Sequence, residues 1–235
     1  MLPNGVADAA PPTVVDLAAR ARRLASDRGH RVLLGIVGAP GAGKSTIAEA
    51  LVAELGACAA LVPMDGFHYS QHVLGLLGQA ERKGAADTFD AEGLAALLHR
   101  IRTATGDVYA PTFDRSIEEP IAAGTVVPAD ADIVVVEGNY LLLDEGAWAD
   151  VRAALDETWF LRIPQATRVE RLVERHMRFG RTRDAAEAWV ETVDERNARL
   201  IEASAERADL ILTPEASAAP VAAAEPTPAP PAPTA

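Results

Sequence analysis

Short apolar runs alternate with segments of helical periodicity along most of the chain. The apolar runs are rich in branched aliphatic residues, which is typical of strands that are buried on both faces of a sheet. They lie at 32–37, 59–64, 132–138, 157–164 and 209–212. Helical spacing covers 13–29, the segment after Gly43, 165–180 and 185–207. This alternation predicts an α/β fold whose doubly wound, mostly parallel sheet is flanked by helices.

The length and composition suit one folded domain. A chain of 235 residues that is 49% apolar and 24% charged can bury a core of its own. We expect this domain to span 13–213, after a disordered N-terminal segment, 1–12. From Pro214 onward the chain is mainly alanine and proline, so 214–235 is predicted to be a disordered tail.

Charge and cysteine content narrow the function classes. A net charge of −12 and a pI near 4.9 argue against a broad surface for nucleic acid or an anionic membrane, because either needs a basic face. The single Cys58 excludes an intramolecular disulfide framework, and no uncharged apolar stretch reaches the length of a membrane span. The opening "MLPNGVADAAPP" lacks the basic and apolar regions of a signal peptide. We therefore expect a cytoplasmic protein that binds neither nucleic acid nor membrane.

The segment "GAPGAGKST" follows the first predicted strand and precedes a predicted helix. It fits G-x-x-x-x-G-K-[ST], in which glycines turn backbone N–H groups toward phosphate oxygens and the following helix adds its positive N-terminus. The structural alternative is a glycine-rich turn with an exposed lysine. Lys44 is one of two lysines against twenty arginines, and a compact ammonium suits a narrow phosphate site better than a guanidinium. The predicted nucleotide-binding residues are Gly38, Ala39, Pro40, Gly41, Ala42, Gly43, Lys44, Ser45 and Thr46.

Two carboxylates follow predicted strands. Ligands of open α/β sheets bind outside the carboxyl ends of the strands, so both carboxylates are candidates for the site. Glu137 follows "IVVV", where a Walker-B acid meets the magnesium ion that the P-loop hydroxyl holds, here that of Ser45. Asp65 follows "LVPM" and is a candidate to bind magnesium through water or to take the proton of an attacking hydroxyl. The structural alternatives are a capping carboxylate at Glu137 and an Asp-Gly turn at Asp65.

Five segments together resemble a known group of kinases. In chain order they are "GAPGAGKST", "MDGFH", "VYAPTFDR", "VVVEGNYLLLD" and an arginine-rich helix. This order is similar to that of the uridine kinase, pantothenate kinase and phosphoribulokinase group of P-loop kinases, and it looks most similar to the nucleoside/nucleotide kinase branch. The resemblance implies that Asp65 is the general base for the acceptor hydroxyl and that Glu137 is the Walker-B acid. The segment "DGFH" departs from the Asp-Ser-Phe-Tyr of uridine kinases, which argues against uridine as the acceptor.

The same resemblance implies acceptor-side residues in two looser segments. "KGAADTFDAEGL" is similar to the stretch of uridine kinases whose aspartate binds sugar hydroxyls, which makes Asp87 a candidate. "VYAPTFDRSIEEP" is similar to the segment that shapes the acceptor pocket, which indicates Tyr109, Phe113 and Arg115. His68 is a further candidate. The alternatives are a capping aspartate, an aromatic pair in a loop core and a structural histidine.

The predicted helix 165–180 carries an arginine stripe. Arginines spaced three and four apart share one helix face, and two more follow Gly180. They are Arg168, Arg171, Arg175, Arg178, Arg181 and Arg183. One interpretation is a solvated face paired with Glu170 and Glu174. We favour a closing lid whose arginines stabilise the transferring phosphoryl group, with Arg175, Arg178 and Arg183 as its contacts.

These features favour an enzyme over a nucleotide-dependent switch. The sequence predicts a P-loop kinase that uses ATP and Mg²⁺ to phosphorylate a hydroxyl of a small metabolite such as a nucleoside, a sugar or a pantothenate-like acid. The alternative is a regulatory ATPase that changes partners and has no small-molecule acceptor. Lys83 in "ERKGAAD" does not supply the N-K-x-D motif of guanine-type switches, and a switch has no use for acceptor-side segments. The sequence leaves open whether the protein is a monomer or a homodimer.

Overall fold

The structure of the protein is a computed structural model that describes residues 11–214. Residues 1–10 and 215–235, which include most of both segments expected to be disordered, lie outside the described residues. The helices are α1 (Val14–Arg28), α2 (Lys44–Leu55), α3 (Gln71–Leu76), α4 (Ala91–Thr103), α5 (Ala147–Ala154), α6 (Gln165–Arg178), α7 (Arg183–Trp189) and α8 (Glu195–Ala203). The strands are β1 (Val32–Val37), β2 (Ala59–Pro63), β3 (Val108–Asp114), β4 (Glu119–Val127), β5 (Ile133–Gly138), β6 (Glu157–Leu161) and β7 (Leu210–Leu212).

The central sheet has five parallel strands in the order β2-β5-β1-β6-β7. The register pairs Ile36 of β1 with Glu137 of β5 and with Trp159 of β6. The carboxyl ends of β1, β5 and β2 therefore meet at one edge of the sheet. At this edge the phosphate loop follows β1, Glu137 lies near the end of β5, and Asp65 follows β2. The predicted α/β fold with a mostly parallel sheet is confirmed.

Both faces of the sheet are covered, which explains why its strands are continuous apolar runs. Val32, Leu34 and Ile36 pack with α1 and α2 on one face. Leu33 and Val37 pack on the other face with a larger cluster that includes α4, α5, α8 and the β3–β4 hairpin. Alternate residues of β1 thus serve different cores, as the two-residue period of a strand requires.

The β3–β4 hairpin was not predicted from the sequence. It is antiparallel, lies outside the five-stranded sheet and shifts register between Ala110 and Thr112. Its inner face packs on the 3₁₀ turn Met64–Phe67 that follows β2, and a Cβ atom at Gly66 would collide with the Pro111 carbonyl group. Glycine is required at that position, so the hairpin is brought directly against Asp65.

The helix predicted at 185–207 is divided into three parts. α7 passes into a π-helical turn, Val190–Asp194, and then into α8, and a 3₁₀ turn follows at Ala205–Arg207. The π turn inserts extra chain into the helix and thereby changes which side chains face inward. One of these is Asp194, which is buried.

No helix within residues 11–214 combines the length and apolarity needed to cross a bilayer.

Candidate active site

The phosphate loop joins β1 to α2 as the sequence predicts. Gly41 (φ 78°) and Gly43 (φ 95°) adopt the left-handed conformation, and Gly43 is the N-cap of α2. A Cβ atom at Gly38 would lie 2.7 Å from the Leu161 carbonyl oxygen. The loop therefore needs glycine for its turn and for close packing on β6, and it leaves the positive N-terminus of α2 facing the cleft. Thr46 is exposed on the first turn of α2.

Lys44 is the buried cation of this loop. Its side chain is 8% exposed, and Nζ donates to the Ala39 carbonyl oxygen at 3.3 Å. Burial lowers the pKa of Lys44, while the carboxylates of Glu137 and Asp65 act in the opposite direction. The lysine thus lies between two acids in a site where its charge is poorly solvated, and a bound phosphate would stabilise that charge.

The Ser45 hydroxyl donates to Glu137 Oε2 at 2.7 Å. Glu137 is 6% exposed, and burial raises its pKa although Lys44 opposes the shift. A serine hydroxyl and one or two carboxylates are oxygen donors that suit Mg²⁺, which is usually held by few protein ligands together with substrate phosphates. Among residues 11–214 there is no group of three or more histidine, cysteine or acidic side chains that could hold a metal ion. Ser45 and Glu137 therefore fit magnesium.

Asp65 lines the same cleft as the phosphate loop, and its charge acts on both Lys44 and Glu137. It stands in the 3₁₀ turn after β2, and its carboxylate pairs with Arg115 at 2.7 Å between Nη2 and Oδ2. Arg115 follows β3, so the hairpin that the sequence did not predict supplies the partner of the candidate base. A carboxylate that accepts from one guanidinium group keeps free lone pairs for a further ligand.

Aromatic rings form the wall next to Asp65. His68 stacks on Phe89 with ring centroids 3.9 Å apart, and Phe113 lies 5.0 Å from the same imidazole. Burial lowers the pKa of His68 to about 4, so the imidazole is neutral at pH 7. Its Nδ1 is buried without a hydrogen-bond partner among the described residues.

The remaining sequence-predicted residues divide into those that line the cleft and those that do not. Arg175 lines it, together with Arg181, whose guanidinium group lies 4.1 Å from the centre of the Trp189 ring. Arg178 and Arg183 do not line it, and Arg183 pairs with Glu187 on the surface.

Two acceptor-side candidates also lie away from the cleft. Asp87 pairs with Arg82 at 2.9 Å and lines a separate groove beside α4 and α5. Tyr109 is 57% exposed on β3 and does not line the cleft. The structure therefore brings Lys44, Ser45, Asp65, His68, Phe113, Arg115, Glu137 and Arg175 together, and it leaves Asp87, Tyr109, Arg178 and Arg183 outside.

Arg168 of the predicted stripe has a structural position. It is 3% exposed, donates to the Pro40 carbonyl oxygen at 3.2 Å and pairs with Glu195 at 2.9 Å. It thereby joins α6, α8 and the phosphate loop. Within the described part of the chain, neither Glu170 nor Glu174 forms an ion pair with an arginine of the stripe. Three of these arginines are nevertheless exposed to solvent, namely Arg178, Arg181 and Arg183.

Several cleft residues were missed by the sequence analysis. Lys83, the second lysine, lines the cleft beside Phe113, and its scarcity was the signal that could have found it. Asn139 and Asn197 also line the cleft. His176 Nε2 donates to the Asp194 carboxylate at 2.8 Å, a contact that depends on the π turn and that helical spacing does not reveal.

The cleft has a volume of about 600 Å³, within the range of small-molecule sites. A glycine-rich phosphate loop with a buried lysine, a serine–glutamate pair at its edge and a parallel sheet behind it define the class of P-loop phosphotransferases. Residues 33–218 match the sequence profile of the Phosphoribulokinase / Uridine kinase family. The chain belongs to this family, and at that level it is a small-molecule kinase with a hydroxyl acceptor.

Similar proteins agree with this assignment. YggC of Escherichia coli K12, named as an uncharacterized protein, is 34% identical over 189 residues, which cover 78% of each chain. "Putative uridine kinase C227.14" of Schizosaccharomyces pombe is 35% identical over 158 residues, 63% of this chain and 67% of the relative. The solved structure named "putative fructose transport system kinase", from Silicibacter sp. TM1040, is 39% identical with a TM-score of 0.79, and the alignment covers 85% of this chain and 98% of that one.

Proposed function

We propose that the protein transfers the γ-phosphoryl group of ATP to a hydroxyl group of a small metabolite. The observation that supports this proposal is that one cleft contains both a set of phosphate-binding residues and a candidate general base. Lys44, Ser45 and Glu137 form a phosphate end, and Asp65 lines the same cleft beside an aromatic wall. A switch that lacks an acceptor needs only the phosphate-binding residues.

Each group has a separate task in this reaction. The loop amides and Lys44 bind the phosphates, and Ser45 and Glu137 are the residues that would hold Mg²⁺, which when bound neutralises charge on the phosphate oxygens. Asp65 accepts the proton of the acceptor hydroxyl as its oxygen bonds to phosphorus and the bond from phosphorus to the leaving oxygen of ADP breaks. Arg115 holds the Asp65 carboxylate in place. Arg175 stabilises negative charge on the transferring group.

The candidate lid consists of α7 and the C-terminal part of α6, beyond the anchor that Arg168 forms to the phosphate loop. Leu172, Val173, Ala186 and Val190 make a small core that is separate from the two clusters on the sheet. A segment with its own core can move as a unit, and we propose that such a movement brings the exposed Arg178 and Arg183 toward the phosphates.

The function is tested by supplying acceptors to the purified protein with Mg²⁺ and ATP. We expect ADP formation to depend on one class among nucleosides, sugars and pantothenate, and the product mass to show one added phosphoryl group. ATP hydrolysis at the same rate with and without every acceptor, with no phosphorylated product, would contradict the proposal and favour the regulatory ATPase.

A further inference from the structure

Two cations converge on one aromatic ring at the acceptor end of the cleft. Lys83 Nζ lies 5.1 Å from the centroid of Phe113, and the guanidinium carbon of Arg115 lies 5.9 Å from the same centroid. The positive charges of Lys83 and Arg115 both lower the pKa of His68. The two cations and the neutral imidazole therefore surround the same volume, next to Asp65.

These charges are only partly compensated. Arg115 uses one amino group for Asp65, and no other carboxylate pairs with it within the described ranges. Lys83 donates to the backbone carbonyl oxygen of Glu118, and no carboxylate lies within 4.0 Å of its ammonium group in the part of the chain that the structure describes. Partial burial lowers the pKa of Lys83, whereas the carboxylates of Glu118 and Glu119 act in the opposite direction.

A structural role for Lys83 does not account for this arrangement. Glu118 stands in the turn between β3 and β4 with φ 55°, and the Lys83 ammonium group holds its carbonyl oxygen. That contact uses one of three N–H groups. The other two are available to an anion in the cleft.

We infer that Lys83 and Arg115 form an anion-binding subsite and that the acceptor is a small hydroxyl compound carrying a carboxylate or a phosphate ester. The inference rests on the proposed kinase function and specifies its substrate class. Arg115 contacts Asp65 directly, so the anionic group lies a short distance from the hydroxyl that Asp65 deprotonates. A neutral nucleoside or sugar would bring no negative charge to either cation beyond the contacts of Arg115 with Asp65 and of Lys83 with the Glu118 carbonyl oxygen, which disfavours it.

The scarcity of lysine provides a direct test on the wild-type protein. The chain has two lysines, so limited acetylation followed by peptide mass spectrometry reports the two ends of the cleft separately. A non-hydrolysable ATP analogue with Mg²⁺ is present throughout and protects Lys44 in every sample. The probes are D-glycerate and pantothenate as carboxylates, ribose 5-phosphate and fructose 1-phosphate as phosphate esters, and uridine and fructose as neutral compounds.

We expect a probe from one anionic class to slow acetylation of Lys83 by about fivefold or more when it is titrated to several times its Kd. The class that protects distinguishes a carboxylate from a phosphate ester. The inference would be overturned if Lys83 is acetylated at the same rate with each of the six probes as without a probe. It would also be overturned if uridine or fructose protects Lys83 as well as the anionic probes do.

Kinetics of Lys83→Met provide the second test. Loss of one charge-assisted hydrogen bond should raise KM for the anionic acceptor about 10- to 100-fold. The kcat and KM for ATP should stay near wild type, and Lys83→Arg should recover part of the loss because it retains the charge. The matched control is Arg82→Met, which removes a positive charge one residue away but outside the cleft.

The outcomes separate this inference from the proposed function. Transfer to a neutral acceptor with a KM that does not respond to Lys83→Met overturns the anionic subsite and leaves the kinase standing. Acceptor-independent ATP hydrolysis by the wild-type protein overturns both.

Discussion

Lys44 is buried, donates to its own loop and lies between Glu137 and Asp65. Arginine would need more space and would place a planar group where a single ammonium group is enclosed. We predict that Lys44→Met lowers affinity for a non-hydrolysable ATP analogue about 10- to 100-fold, the effect of losing a charge-assisted hydrogen bond, and abolishes transfer. Titration calorimetry measures the affinity. Lys83→Met is the control, and it should bind the analogue normally because Lys83 lies at the acceptor end.

Substitution of Asp65, the proposed general base, tests whether catalysis can be lost while nucleotide binding is kept. Asp65→Asn keeps the size and polarity of the side chain but cannot accept the hydroxyl proton, so turnover should fall about 10²- to 10⁴-fold while ATP affinity survives. If Asp65 mainly orders magnesium, the variant should instead need more Mg²⁺ for half activity. Turnover, ATP affinity and magnesium dependence are measured on one sample, beside Asp27→Asn on the exposed surface of α1. Normal turnover would remove Asp65 from the mechanism.

His68 makes the stability depend on pH. Its pKa is lowered to about 4 by burial, whereas an unfolded histidine titrates near pH 6.5. Between these values the unfolded chain binds a proton that the folded chain does not, so the free energy of unfolding should fall as the pH falls from 6.5 to 4, by an upper bound of about 3 kcal/mol. His68→Phe retains an aromatic ring on Phe89 and removes the titration. Urea unfolding across this window should show a flatter profile for the variant, and identical slopes would contradict the assignment.

At the scale of elements, we expect the buried ion pair between Arg168 and Glu195 to fix the N-terminal part of α6. Arg168 joins Glu195 of α8 to the Pro40 carbonyl group of the phosphate loop. Arg168→Met should lower the free energy of unfolding by about 3–5 kcal/mol, because it leaves the largely buried Glu195 carboxylate without its countercharge and, within residues 11–214, with only the Gln165 amide as a donor. Urea denaturation measures the loss.

The double variant Arg168→Met with Glu195→Gln is the control for that prediction. It removes the unpaired charge and should recover part of the lost stability. A single variant as stable as the wild type would show that the pair does not hold α6 in place.

The strands of the central sheet could be predicted because burial on both faces makes each a continuous apolar run, as in β1 and β5. The hairpin could not be predicted by that rule. β4 is exposed at most positions and carries proline, glycine and alanine, so it shows neither an apolar run nor a clear alternation. The π turn was missed because apolar positions on both sides of it keep a helix-like spacing.

The residues of the candidate site also divide into those that the sequence predicts and those that it does not. Lys44, Ser45 and Glu137 could be predicted because each stands just after, or near the end of, an apolar run. The carboxyl ends of parallel strands meet at one sheet edge, which brings Ser45 and Glu137 together although they are distant in sequence. Lys83 comes from a connecting segment and reaches the cleft only through the packing of the hairpin, so local sequence does not indicate its position. Asp87 was expected in the acceptor pocket, and the structure pairs it with Arg82 beside another groove.

For the whole molecule, the composition of the C-terminal segment leads to a prediction about residues outside the described part of the chain. Residues 214–235 offer almost no bulky apolar side chains for a core. Truncation after Thr213 should therefore shift the thermal midpoint by less than about 2 °C, below the effect of 1 kcal/mol in a domain of this size. Differential scanning calorimetry on both proteins measures it, and a larger drop would show that the segment docks. The cytoplasmic location and the oligomeric state also stay predictions.

The β3–β4 hairpin has a consequence for how such a protein diversifies. It supplies Phe113 and Arg115 to the cleft but contributes no strand to the central sheet. On the proposed function, part of the acceptor end is thus carried by a stretch of chain separate from the phosphate loop. We expect exchange of this two-stranded segment to alter acceptor choice while Lys44, Ser45 and Glu137 stay unchanged. Recombination between family members at 108–127 would change this segment in one step, whereas point substitutions would change it one residue at a time.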